Sequence, residues 1–161
     1  MIRVEQGALE RARVVPERRL PIDTEVPAAN RALEALDAVV HRSHLEPGLR
    51  ELVRLRASQI NGCAFSVDVH SRDALAHEET ERRIFAVPVW RETPFFSARE
   101  RAALELTEAM TRLADHPVPD ETFARAADHF TRRELAELIW LIAVTNTWNR
   151  LGATTRAWSV E

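Results

Sequence analysis

Apolar side chains recur at three- and four-residue intervals along most of this chain, and the strict two-residue alternation of a half-buried strand is nowhere sustained. That pattern restricts the fold to packed helices, and proline and glycine mark where the helices break. Ala32, Leu33, Leu36, Val39 and Val40 predict an amphipathic helix over 28–42. After Leu45-Glu46-Pro47-Gly48, residues Leu49, Leu52, Val53, Leu55 and Ile60 supply the apolar side of a helix over 47–60, with Pro47 suited to its first turn. Asn61-Gly62 ends it, and the next helix is expected to reach about His77 with Cys63 in its first turn.

A short helix over 78–87 and an irregular linker holding Pro88, Trp90 and Pro94 should follow. Two capping boxes then open long helices. Ser97 with Glu100 begins one running to about Ala114, and Thr131 with Glu134 begins one running to Leu151, for which Gly152 reads as the stop. Between them, Asp120 is placed to cap a short helix containing Phe123 and Ala127. Leu135, Leu138, Ile139, Leu141, Ile142, Val144 and Trp148 give the last helix apolar residues on several sides, as expected at a domain centre or a subunit interface. Pro16, Pro21 and Pro27 interrupt the opening stretch, so residues 1–27 are read as an irregular arm that wraps the domain or a partner subunit, and residues 28–161 as one all-α domain of about six to eight helices.

Composition narrows the chemistry. A chain of 161 residues can bury a core without metal or disulfide staples. Cys63 is its one cysteine, so no internal disulfide forms, which fits a reducing compartment; together with the missing leader and span patterns this reads as a cytoplasmic protein. No apolar run is long enough for a membrane span. Basic and acidic residues, 22 and 25, are interspersed for a net charge of −3, which argues against nucleic acid as a partner. All the basic residues are arginine, so Schiff-base and phosphate-loop lysine chemistry is excluded.

The remaining candidates lie together. On a helix, Cys63, Ser66 and His70 fall on one stripe, at separations of three and four residues. Ser66 and His70 are neighbours, whereas Cys63 and His70 are roughly 10 Å apart along the axis. A helix start favours an anion at Cys63. If the preceding helix packs antiparallel, Glu51 reaches back to orient His70 or relay its proton; the alternative is a surface acid paired with Arg50 or Arg54. Cys63 and His70 can equally be buried core residues, and Ser66 can satisfy its hydroxyl on a carbonyl one turn earlier. His41 and His44, with His70 and His77 further on, lack the acid or cysteine that would complete a recognisable metal-binding spacing, and no metal or cofactor is expected. Phe65, Trp90 and Phe95 are candidates for an aromatic pocket, although tryptophans at such spacing more often pack in a core.

The run from Glu51 through Gln59-Ile60-Asn61-Gly62-Cys63 to His70 resembles the carboxymuconolactone decarboxylase superfamily, specifically its AhpD-like alkylhydroperoxidase branch. Trp90 with Ser97–Leu104 and the late Asn146-Thr147-Trp148-Asn149-Arg150-Leu151 extend the resemblance over about residues 30–151. It implies a helical fold, homo-oligomers (dimer, trimer or hexamer), and a thiol relay without haem or flavin. It also implies a role for each position: Glu51 as proton-relay acid, Cys63 as resolving cysteine, Ser66 at the place of the peroxide-attacking cysteine, and His70 as relay base. A hydroxyl cannot form the sulfenic acid that begins that cycle, so the two-cysteine reaction cannot run in this chain. Three expectations follow. The first is a peroxidase-like thiol redox protein that depends on Cys63, a small hydroperoxide and an external thiol reductant. The second is a non-enzymatic oligomeric binding or scaffold protein, and the third a decarboxylase or lyase acting on a small carboxylate.

Overall fold

The computed structural model describes residues 16–160, so the first 15 residues of the expected arm lie outside the described part. Within it, helices account for all regular structure: α1 (Ile22–Glu25), α2 (Pro27–His41), α3 (Pro47–Asn61), α4 (Ala64–Ala76), α5 (Glu81–Ala86), a 3₁₀ segment (Val87–Glu92), α6 (Ala98–Thr111), α7 (Asp120–His129) and α8 (Arg132–Thr155). The all-α expectation of six to eight helices holds. Residues 16–27 of the expected arm are less irregular than their prolines suggest, because Pro21 and Pro27 stand at helix starts, where a missing N–H costs nothing. Before α1, the amides of Arg19 and Leu20 donate to the carbonyl of Thr155, laying this segment against the end of α8.

Both capping boxes form as read, Ser97 with Glu100 and Thr131 with Glu134. Three boundaries differ. Asp120 does not cap α7: Pro119 holds the N-cap position and Asp120 is the first helical residue. The element expected over 78–87 is shorter, since Thr80 caps it by accepting from the Arg83 amide, and the Trp90 linker coils into the 3₁₀ segment. Gly152 does not stop α8, which runs on to Thr155 and ends on Arg156 in the left-handed region at φ 51°.

Helix α3 organises the interior. Leu49 and Val53 pack into one cluster with Leu106, Leu138, Leu141 and Ile142, while Leu52 and Leu55 pack into another with Val87, Trp90, Phe96 and Leu104. A single apolar side was expected for this helix, but it is buried on two, each leucine contributing on the order of 1.5–3 kcal/mol. Besides Ala57, its remaining buried positions carry Arg50, Glu51, Arg54 and Ser58, and polar side chains so placed need partners. Helix α8 packs against α2, α3, α4, α6 and α7, the domain centre anticipated from its broad apolar surface, yet Trp140 stays 56% exposed.

A polar seam joins α3 to α8. Asn61 Nδ2 donates to Asn146 Oδ1 at 2.9 Å and to Asn149 Oδ1 at 3.0 Å, and Asn149 Nδ2 donates to Ser58 Oγ at 3.0 Å. Satisfied buried amides of this kind fix one register and penalise others. The seam thereby pins the end of α3, where the chain turns toward the cysteine.

Candidate functional site

Gly62 closes α3 in the left-handed conformation, at φ 65°, which glycine adopts without the clash a Cβ would bring. The turn it makes leaves Cys63 extended as the N-cap of α4, one position before the first turn in which it was expected. The Cys63 amide donates back to Ser58 O at 3.1 Å, tying the residue to the seam. Its side chain is 1% exposed. Across from it runs α8 at Gly152, where a Cβ would lie 3.0 Å from Cys63 Sγ and 3.3 Å from the Trp158 ring. Glycine is there for close approach between helix and sulfur.

Ser66 sits one turn into α4 and does not bond a carbonyl of the preceding turn. Its Oγ lies 3.2 Å from Cys63 Sγ. One further turn on, His70 Nδ1 lies 2.8 Å from Glu51 Oε2. The antiparallel packing of α3 on α4 thus brings Glu51 to the histidine rather than to the surface; it is 2% exposed. Burial pushes the Glu51 carboxyl up, but the hydrogen bond and charge of His70, with Arg54 and Arg50 nearby, outweigh it and hold the acid below its ordinary value. With Nδ1 taken by Glu51, Nε2 is the nitrogen left to His70 for other work.

Two cavities meet at this helix. One, of about 370 Å³, is lined by Ser66 and His70 together with Phe65, Asp73, Trp148 and Trp158. The other, of about 910 Å³, is lined by Cys63, Gly152 and the segment from Arg156 to Val160. Phe65 and Trp158 border both, with ring centroids 5.8 Å apart, and Trp158 meets Trp148 edge-on at 5.6 Å. Sulfur and histidine therefore open onto different spaces, and Ser66 is the polar group between them.

All four site residues expected from the sequence are thus within one patch of α3 and α4. The aromatic expectation is corrected: Phe65 lines the cavity, but Trp90 and Phe95 belong to the second core cluster, where Trp90 Nε1 donates to Glu108. Trp148 and Trp158 line the cavity instead. Asp73 was missed, although it continues the stripe of Cys63, Ser66 and His70 by three more residues. Donor atoms of Glu51, His70 and Asp73 all lie within 4.8 Å of one another, a spacing that suits a cation, though one bound there would have to share Glu51 with His70. His41 and His44 make no such group; His44 Nδ1 lies 2.8 Å from Glu137 Oε1. Of the arginines near the site, Arg54 is paired with Asp37 at 3.1 Å and Arg72 with Asp68, while Arg50 donates to the carbonyl of His41.

Comparison with known proteins places this geometry. The sequence model of the Carboxymuconolactone decarboxylase family matches residues 26–109. The chain is 37% identical over 125 residues to Uncharacterized protein YdfG of Bacillus subtilis (strain 168), covering 78% of this chain and 85% of that protein. It is 38% identical over 105 residues to Uncharacterized protein YnjA of Escherichia coli (strain K12), covering 65% of this chain but only 57% of that protein. Among solved structures, a protein of unknown function from Agrobacterium tumefaciens, ATU0492, described as a candidate antioxidant defence protein AhpD, superposes with a TM-score of 0.86 at 35% identity, over 90% of this chain and 99% of the other.

Proposed function

The chain belongs to the carboxymuconolactone decarboxylase family, in its AhpD-like branch, and from that premise we propose that it is a peroxidase-like thiol redox protein whose one reacting sulfur is Cys63. The observation that carries this reading is the contact of Cys63 Sγ with Ser66 Oγ at 3.2 Å, beside the 2.8 Å pair of His70 and Glu51. Ser66 then replaces an attacking thiol with a proton carrier. The Cys63 proton passes through the Ser66 hydroxyl toward His70, whose ring Glu51 orients.

The thiolate attacks one oxygen of a hydroperoxide. An S–O bond forms as the O–O bond breaks, sulfur is oxidised to the sulfenic acid, and the departing alkoxide takes the relayed proton. With no second cysteine in the chain, reduction falls to external thiols. One condenses with the sulfenic acid, releasing water, and a second displaces the mixed disulfide to restore Cys63.

Peroxide consumption with a small thiol reductant tests this. The parent is expected to turn over, Cys63→Ser to abolish turnover, and trapping reagents to find a sulfenic acid at Cys63 after peroxide. A thiol that stays free throughout would defeat the reading. Ser66→Cys should raise turnover, and adding Cys63→Ser to it should remove the gain. Self-association belongs to the same reading. Leu36, Val39 and Trp140 expose apolar area around one shallow cavity, and sedimentation is expected to find more than one copy.

A further inference from the structure

The His70 cavity is large enough for a small organic molecule, in the lower part of the range ligand sites occupy. Its lining also fixes a sign of charge. Asp23, Glu34, Asp37 and Asp73 face it, against one guanidinium, Arg54. That guanidinium is engaged, donating to Asp37 Oδ1 at 3.1 Å, and Asp23 is likewise paired with Arg18 at 2.7 Å. Glu34 accepts only a neutral amide hydrogen, from Asn30 at 2.8 Å, and neither Glu34 nor Asp73 has a cationic partner among the described residues. The Asp73 carboxylate stands within 4.8 Å of the donor atoms of His70 and Glu51. Phe65, Trp148 and Trp158 line the same cavity and add aromatic surface to it.

We propose that this cavity selects ligands carrying a positively charged nitrogen on a small apolar body, the cation among Glu34, Asp37 and Asp73 and the body on Trp148 and Trp158. The inference rests on the relay reading, with the organic part of a substrate seated beside His70 while its peroxide oxygen reaches Cys63 at Ser66, and adds the class of substrate to it. Two independent features converge on the same sign. Carboxylates attract a cation and repel an anion, and the negative face of an indole ring does the same. A carboxylate substrate would meet uncompensated Glu34 and Asp73, with Arg54 held by Asp37 and His70 Nδ1 by Glu51, leaving His70 Nε2 as the donor facing it. Glu34 and Asp73 stand at the exposed rim, so their share is sensitive to salt.

Three probes of one shape and different charge test the proposal by binding, with no turnover required: benzyltrimethylammonium, benzyl alcohol and phenylacetate, titrated calorimetrically into the full chain. The cation is expected to bind at least ~10-fold more tightly than phenylacetate, the order of effect a cation–π contact with nearby carboxylates supplies. Glu34→Gln with Asp73→Asn should remove that preference while leaving benzyl alcohol unchanged, and Trp158→Phe should weaken all three. Equal or tighter binding of phenylacetate overturns the proposal. So does a preference that survives the double substitution, or no saturable binding of the cation up to about 10 mM, the weak end at which a Kd of ~1 mM is still resolved. Because Cys63 takes no part in these titrations, cation preference without peroxide turnover sinks the redox reading alone. Turnover without charge preference sinks this inference alone.

Discussion

Two glutamates are buried beside α3, and their partners divide the molecule into a working side and a buttress. Glu108, 6% exposed, is held by Arg56 at 2.6 Å, Arg91 at 2.5 Å and the Trp90 indole N–H at 3.0 Å. Burial pushes its carboxyl up, and those hydrogen bonds with the Arg56 charge overcome it and hold it below its ordinary value. Glu51 is more deeply buried, yet its one hydrogen-bond partner among the described residues is His70, whose imidazole can either donate or accept a proton. Arginine partners do not titrate in the range where proteins work, so Glu108 can only hold structure together. An acid that answers to a histidine lining a cavity suits the proposed relay.

That contrast breaks most readily at Glu108. Glu108→Ala leaves Arg56, Arg91 and Trp90 unpartnered and is expected to cost about 3–5 kcal/mol, read as a lower midpoint in urea. Glu51→Gln keeps most of the shape and a hydrogen-bonding group. It is expected to fold with a cost of about 1–2 kcal/mol and to lower peroxide consumption by about 100-fold, the scale of acid–base catalysis. Equal stability losses in the two variants would erase the distinction.

Gly152→Ala tests the working side from its back wall. The added methyl meets the sulfur and the Trp158 ring, and a loss of about 1–3 kcal/mol is expected, as for overpacking elsewhere. Cys63→Ala in the same chain should recover part of it, and a double-mutant cycle with no coupling would show that the helix does not press on the sulfur.

Acid sharpens the comparison further. Both glutamates have folded pKa values below the unfolded value of 4.5, so each contributes stability that is complete above that value and is lost as pH falls through the depressed folded one. Glu134, lowered to about 2 by the Thr131 backbone N–H and by Arg99, keeps the start of α8 capped across the same window. Glu108→Gln should therefore flatten the fall in stability below pH 4.5, measured as melting temperature against pH, whereas Glu134→Gln should flatten it down to about pH 2. The smallest effect is expected on the outer face of α4. Arg72→Ala breaks an exposed pair with Asp68 and should change stability by less than about 1 kcal/mol and turnover not at all.

Much of the fold was legible because its punctuation is local. Ser97, Glu100, Thr131 and Glu134 cap through their immediate neighbours, and Gly62 turns through its own dihedral angle, so each signal can be read without knowing what packs nearby. Gly152 was misread for the opposite reason. A glycine that ends a helix and one that admits a neighbouring side chain look alike in sequence, and only the arrival of Cys63 from 89 residues away tells them apart. The Glu51–His70 pair was legible on the condition of antiparallel packing, whereas the Glu108 clamp left no signal, since Arg56 on α3 and the neighbours Trp90 and Arg91 on the 3₁₀ segment stand 52, 18 and 17 residues from Glu108. Asp73 had a local signal in its spacing from His70. Trp148 and Trp158 had none that distinguished a cavity wall from a core.

The bare backbone at Gly152 also governs volume. Helix α8 passes close enough to Cys63 that a methyl added at Gly152 would press on the sulfur. An oxygen or a bulkier thiol attached to that sulfur finds its space toward Ser66 or in the cavity bordered by Gly152 and Arg156–Val160. The fold thus sets the direction of growth at its one cysteine sulfur before any reagent arrives, and a label fixed there would report its own orientation.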